Sequence, residues 1–144
     1  MPDYDSANIS MTVPLSAESA YAAWLDPAVL PLWLAPPPYE LIHAEVEACV
    51  GASYRHDTVG PDGEHVVTGE YRELQPGKRI VKTWNYSGPN PVPRREPTLV
   101  EVEFCAGEGG TTTITITHSG LRDTTENTHY TQGWTHCLDR MKRL

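Results

Sequence analysis

Ile9, Met11 and Val13 alternate with Ser10 and Thr12, a period of two that places the apolar side chains on one face of a strand. The period then changes. Ala17, Ala20, Tyr21 and Trp24 recur at i, i+3, i+4 and i+7 behind Ser16, a favourable N-cap, and predict a short amphipathic helix. Asp26-Pro27 opens a second short helix that carries Val29, Leu30, Trp33 and Leu34 inward, and Pro36-Pro37-Pro38 ends it. Pro36-Pro37-Pro38-Tyr39 also matches a proline-rich ligand motif, but it is read as the entry to the next strand.

From Tyr39 the pattern is that of strands, at about Tyr39–Glu47, Ala52–Asp57, His65–Leu74, Arg79–Tyr86, Thr98–Ala106 and Thr111–His118. Short turn sequences separate them, as antiparallel hairpins require. The exception is Ser87 to Pro97, which holds four prolines and reads as an ordered or mobile flap. Val100, Val102 and Phe104 oppose Glu101 and Glu103, while Ile114, Ile116 and His118 oppose the threonines between them, so one sheet face is wet and the other covered. The cover is a terminal helix. Asp123-Thr-Thr-Glu126 resembles a capping box, and Tyr130, Gly133, Trp134, Cys137, Leu138, Met141 and Leu144 continue a helical stripe.

At 144 residues one domain is expected, with residues 1–8 as a flexible N-terminus. Eleven basic against nineteen acidic side chains give a net charge of −8, which disfavours nucleic acid and anionic lipid as partners. The three cysteines form no CxxC pair and fit reduced thiols in a cytoplasmic protein. No secretory or transit signal is visible, and the most apolar stretch, Ala28 to Ala35, is too short to span a bilayer, so no membrane insertion is expected. A homodimer is a plausible assembly, with no residue marking its interface.

Strand, two short helices, six strands and a long helix is the order of an α+β helix-grip fold, and it resembles the START/Bet v 1-like (SRPBCC) superfamily. Within it the chain is similar to the heat-shock-protein-90 ATPase activator homologue-like family. The pieces that carry this are Ala20-Tyr-Ala-Ala-Trp-Leu-Asp-Pro27 with Leu32-Trp33, Val50-Gly-Ala-Ser-Tyr-Arg55, Gly69-Glu-Tyr-Arg-Glu-Leu-Gln-Pro76, Arg79-Ile-Val-Lys-Thr-Trp84, Thr115-Ile-Thr-His-Ser-Gly-Leu121 and Gly133-Trp134 with Leu138. Two departures are Gly51-Ala52, where a Gly-Gly pair is usual, and a terminal helix that stops early at Leu144. The resemblance implies a curved antiparallel sheet of about seven strands around the long helix. It also implies an apolar cavity for a small hydrophobic ligand, with cyclase or hydrolase activity in some members and a co-chaperone role in the namesake; fold alone does not choose among these.

Wide side chains on the covered faces are the candidate cavity lining: Trp33, Tyr71, Trp84, Phe104, His118 and Trp134. For each ring the simpler alternative is ordinary core filling. His118 is either a general base or ligand-orienting donor in an apolar site, or, the preferred reading, a neutral imidazole bonded to backbone near Ser119-Gly120. No metal is expected: His129 and His136 lie about 10 Å apart along a helix, beyond joint reach of one ion. With no Gly-x-Ser-x-Gly, phosphate-binding loop or dinucleotide fingerprint, no cofactor and no catalytic residue are assigned.

Overall fold

A computed structural model of the chain describes residues 5–89, 94 and 96–144. The strands are β1 (Ser6–Val13), β2 (Glu40–Val46), β3 (Ser53–Gly60), β4 (Gly63–Gln75), β5 (Arg79–Ser87), β6 (Thr98–Ala106) and β7 (Thr112–Ser119), and the helices are α1 (Ala17–Ala23) and α2 (Thr124–Met141). The seven strands form one antiparallel sheet in the order β1-β7-β6-β5-β4-β3-β2. This is the helix-grip arrangement, an α+β fold in which the sheet closes on α2. Register shifts in β2 between Leu41 and His43 and in β4 between Tyr71 and Glu73 each insert an irregularity that bends its strand.

The alternation read in β6 and β7 holds: Val100, Val102, Ile114, Ile116 and His118 are fully buried, while Glu103 lies on the solvated side. β1 starts earlier than its apolar pattern indicates. Ser6–Asn8, expected in a loose N-terminus, pair with Ser119, His118 and Thr117, whereas residues 1–4 lie outside the described residues. The β3–β4 hairpin is tighter than the turn sequence predicts, because Gly60 pairs with Gly63 and only Pro61 and Asp62 remain in the loop.

The second short helix is a correction. Asp26 accepts from the Ala28 N–H at 2.9 Å and so turns the chain, but the only helical element that follows is a 3-10 turn at Leu30–Leu32, with Val29 at its N-cap and no side-chain cap. Pro31 has no N–H to give and its ring crowds the preceding turn, so the segment does not run on as an α-helix. Leu30 and Trp33 are still delivered to the core. The flap region, Ser87 to Pro97, falls in part on residues 90–93 and 95, outside the described residues.

α2 begins at Asp123, whose Oδ1 accepts from the Glu126 N–H at 2.9 Å. Glu126 returns the contact one residue early, accepting from the Arg122 N–H at 2.8 Å rather than from that of Asp123. The helix then packs against β1 and crosses toward β5, with Trp134, Cys137, Leu138 and Met141 buried. Its far end is tied to the chain after the 3-10 turn by Cys137 Sγ to Leu34 O and Arg140 to Ala35 O. Burying a Leu or Met side chain is worth about 1.5–3 kcal/mol each, so Leu138 and Met141 alone anchor this end firmly.

Candidate functional site

β7 carries His118 inward in the same register as Ile114 and Ile116, and α2 brings Trp134 over it. Trp134 Nε1–H donates to His118 Nδ1 at 3.1 Å, which leaves the ring proton on Nε2, facing Thr98 Oγ1 at 2.8 Å. The Thr98 hydroxyl donates in turn to the Trp84 carbonyl at 3.1 Å. Both imidazole nitrogens are therefore engaged. Burial, then the charges of Arg94 and Lys82, push the His118 pKa down to about 3. This is a neutral imidazole that ties α2 to the sheet. Its partners are two side chains rather than the backbone near Ser119 and Gly120, because the strand continues to Ser119 and uses that backbone for pairing.

Beside this chain a pocket of about 280 Å³ opens between the sheet and the first turns of α2. Trp84, Tyr86 and Thr98 line one side, Glu126 and Tyr130 the other, and Arg94 spans the rim. Trp84 Nε1–H donates to the Tyr130 hydroxyl at 3.1 Å, and the Tyr130 ring centroid lies 4.2 Å from that of His118. Arg94 pairs with Glu126 and donates to Gly120 O at 3.1 Å. The rings of Trp84, Tyr86 and Tyr130 share the lining with Asn85, Thr98 and the Arg94–Glu126 pair, so the pocket is mixed in character.

Behind Trp84 lies a second group of polar atoms. β5 sends Ile80, Lys82 and Trp84 to the same face, so a lysine stands in the core with 1 % of its surface exposed. Its Nζ sits 4.7 Å from the Tyr54 ring centroid, 5.3 Å from that of Trp24 and 5.7 Å from that of Trp84, a cation–π cage. Among the described residues no carboxylate pairs with it, and burial lowers its pKa to about 7. Tyr71 faces Lys82 directly across the β4–β5 ladder, and Tyr54 lies tilted against both Tyr71 and His56, with ring centroids 5.2 and 5.0 Å away. Tyr71 OH, both His56 nitrogens and Trp24 Nε1 are buried and find no hydrogen-bond partner among the described residues. Burial and then Lys82 hold the His56 imidazole well below its usual pKa, while burial raises the Tyr71 phenol.

Close approach makes this cage. A Cβ on Gly69 would lie 2.1 Å from Thr83 O and 2.7 Å from the Tyr54 ring, so only glycine lets Tyr54 lie flat across β4 and donate to Thr83 O at 2.5 Å.

The candidate lining residues thus separate into four groups. Trp84 lines the pocket; Tyr71 belongs to the Lys82 cage; His118 and Trp134 form the hydrogen-bonded tie. Trp33 and Phe104 surround Trp24 in the packed core, with Trp33 Nε1–H satisfied by Ala23 O at 3.1 Å. Lys82, His56, Tyr54, Trp24 and Tyr130 are site residues that the sequence reading does not single out. The signal is present in the strands: Lys82 lies two residues from Trp84 and His56 two from Tyr54, which places each pair on one face.

The outer face of the sheet holds a larger, open hollow of about 560 Å³, lined by charged side chains such as Arg55, Glu70 and Arg72. Among the described residues no group of three His, Cys, Asp or Glu side chains converges on a metal site, and no helix is long and apolar enough to cross a membrane.

Comparison with curated proteins returns no match. Among solved structures, protein CV1439 from Chromobacterium violaceum superimposes with a TM-score of 0.85 at 24 % identity, over 97 % of this chain and 96 % of that one. The AHSA1 protein from Silicibacter pomeroyi gives 0.79 at 17 % identity, over 96 % and 95 %. DynU16, from the dynemicin biosynthetic locus, gives 0.76 at 23 % identity, over 99 % of this chain and 47 % of that one. These likenesses establish the fold. The family model described as Activator of Hsp90 ATPase homolog 1-like protein matches residues 14–144, and with the sheet, the gripped helix and the pocket beneath it in place, the chain belongs to that family.

Proposed function

We propose that the protein binds a small, largely apolar molecule in the pocket between the sheet and α2, against the rings of Trp84 and Tyr130. The observation that carries this reading is the 280 Å³ pocket itself, whose aromatic floor and Arg94–Glu126 rim lie where the helix leaves the sheet. Small-molecule sites hold a ligand by apolar and ring contact and orient it with a few polar groups, parts that Trp84, Tyr86 and Tyr130 and the Arg94–Glu126 pair could play here. Cys49, Cys105 and Cys137 are all free thiols, in keeping with a reducing, cytoplasmic setting for such a binder.

A panel of naphthalene derivatives, neutral and acidic, tests the proposal by thermal shift. A ligand selective for the native state raises Tm with concentration by mass action. Tyr130→Ala removes one wall and is expected to weaken any such binder about tenfold or more, as loss of a buried aromatic contact does. A panel in which no member moves Tm overturns the proposal.

A second reading, a protein-interaction module, is favoured by the exposure of Leu32, Tyr39 and Ile42 in and beside the edge strand β2. Added to Hsp90, such a module raises its ATPase rate, and Ile42→Asp abolishes the increase; an unchanged rate with the wild-type chain removes this reading.

A further inference from the structure

Two side chains that line the α2 pocket keep hydrogen-bond donors that the fold does not use. The Tyr130 oxygen accepts from Trp84 Nε1–H at 3.1 Å, and among the described residues nothing accepts the hydroxyl proton in turn. Burial, before any neighbouring charge, pushes this phenol up to about 12, so the proton stays on the oxygen near neutral pH. Arg94 gives one N–H to Gly120 O and one to Glu126, and a guanidinium has others to spare. The lining acceptors, by contrast, are occupied. Glu126 takes Arg94 on one carboxylate oxygen and the Arg122 N–H on the other, and Thr98 is engaged between His118 and the Trp84 carbonyl. Positions 126 and 130 are four apart on α2 and share a face, so the ion pair with Glu126 holds Arg94 on the side of the helix that carries the Tyr130 ring. The charges of Glu126 and Arg94 both act on the Tyr130 hydroxyl, as groups at one end of a pocket do.

We infer that the ligand of this pocket is an uncharged carbonyl compound, such as an aryl ketone, whose oxygen accepts from the Tyr130 hydroxyl and from Arg94 while its apolar body lies against Trp84 and Tyr86. A carbonyl oxygen has two lone pairs and can take both donors at once. A pure hydrocarbon would fill the same space and leave the Tyr130 proton without an acceptor. A carboxylate is disfavoured because the Arg94 charge is already met by Glu126. A second anion there would set two negative charges around one cation, and like charges repel strongly where burial thins the water between them. The arrangement therefore selects for an acceptor and against an acid.

This deepens the binding reading and rests on it, so the test separates the two. Equilibrium dialysis measures 2-acetylnaphthalene, 2-isopropenylnaphthalene and 2-naphthoate against the wild-type chain, Tyr130→Phe and Glu126→Gln. The first two differ only in C=O against C=CH2, so the hydrocarbon reports any change in the shape of the pocket. Tyr130→Phe keeps the ring and is expected to weaken the ketone about fivefold or more and the hydrocarbon less than about twofold, the difference being the lost hydrogen bond. Glu126→Gln keeps an acceptor for Arg94 and removes the charge, and is expected to raise naphthoate affinity relative to the ketone about tenfold or more. Ketone and hydrocarbon affinities that change alike in Tyr130→Phe, or a naphthoate-to-ketone ratio that Glu126→Gln leaves unmoved, overturn the carbonyl assignment and leave the pocket intact. Binding of none of the three overturns the assignment, and overturns the pocket with it when no member of the naphthalene panel moves Tm.

Discussion

Trp134 Nε1–H donates to Nδ1 of His118, so the middle of α2 is fixed to β7 by a hydrogen bond between two side chains that are almost wholly buried. With Thr98 and the Trp84 carbonyl completing the chain, the helix, β7, β6 and β5 are joined through one imidazole. His118→Gln breaks the geometry of this chain and leaves a buried indole N–H short of an acceptor. A loss of about 1–3 kcal/mol at pH 7 is expected from chemical denaturation.

The same histidine makes the fold sensitive to acid. Its folded pKa of about 3 lies below the ordinary 6.5, so the unfolded chain takes up a proton that the folded chain refuses. Wild-type stability from this group is full above pH 6.5 and is lost as pH falls toward 3. The gap between wild type and His118→Gln therefore narrows across that window, and denaturant midpoints at pH 7, 5.5 and 4 measure it. A gap that stays constant contradicts the neutral, enclosed imidazole.

Lys82 works in the opposite sense at the other end of the scale. Its folded pKa of about 7 lies below 10.5, so burial costs the fold its full penalty below pH 7, and the penalty fades between pH 7 and 10.5. His56 on β3, Tyr71 on β4 and Tyr54 on β3 face it, and none carries a negative charge at neutral pH. Lys82→Met is expected to stabilise the protein at pH 7 by on the order of 1–4 kcal/mol, a gain of the size seen when even a paired buried charge gives way to packed carbon. The gain over wild type shrinks as pH is raised to 10. Because the tyrosines and Cys137 are common to both chains, the difference isolates Lys82.

Much of this was written in the strands. Thr98–Ala106 is read from its alternation with no shift of boundary, and β7 differs by one residue at each end. What the pattern hides is the inward lysine. Ile80, Lys82 and Trp84 share a face as surely as Val100 and Val102 do, yet a lysine is ordinarily assigned to solvent because its burial costs so much. The partner of His118 was hidden for another reason: Thr98 and Trp134 lie 20 and 16 residues away, and only the closed fold brings them to the ring. Pro31, by contrast, was a local signal, and it outweighs the helical stripe around it.

Gly69→Ala is expected to be costly for a reason that lies on the neighbouring strand. The added methyl meets Thr83 O and the Tyr54 ring, so either β4 moves off β5 or Tyr54 leaves the Lys82 cage. Overpacking of this kind costs about 1–3 kcal/mol. Thermal unfolding is expected to show the loss, and the Tyr54→Phe background, which releases the Thr83 contact, to recover part of it; an unchanged Tm for Gly69→Ala contradicts the close approach.

The α2 cap is simpler. Asp123→Ala removes the acceptor for the Glu126 N–H, at a cost of about 1 kcal/mol read from the urea midpoint. Because Glu126 also holds Arg94 at the rim of the pocket, Glu126→Ala is expected to weaken ligand binding as well, whereas Asp123→Ala leaves it within about twofold.

The pairing of β1 with β7 has a consequence for synthesis. Residue 6 finds its ladder partner at residue 119, so β1, once synthesised, waits for every element between it and β7 before that edge is covered. Contacts this distant in sequence make folding slow, and they give the nascent protein a long interval with an exposed strand that any chaperone holding early segments would shorten.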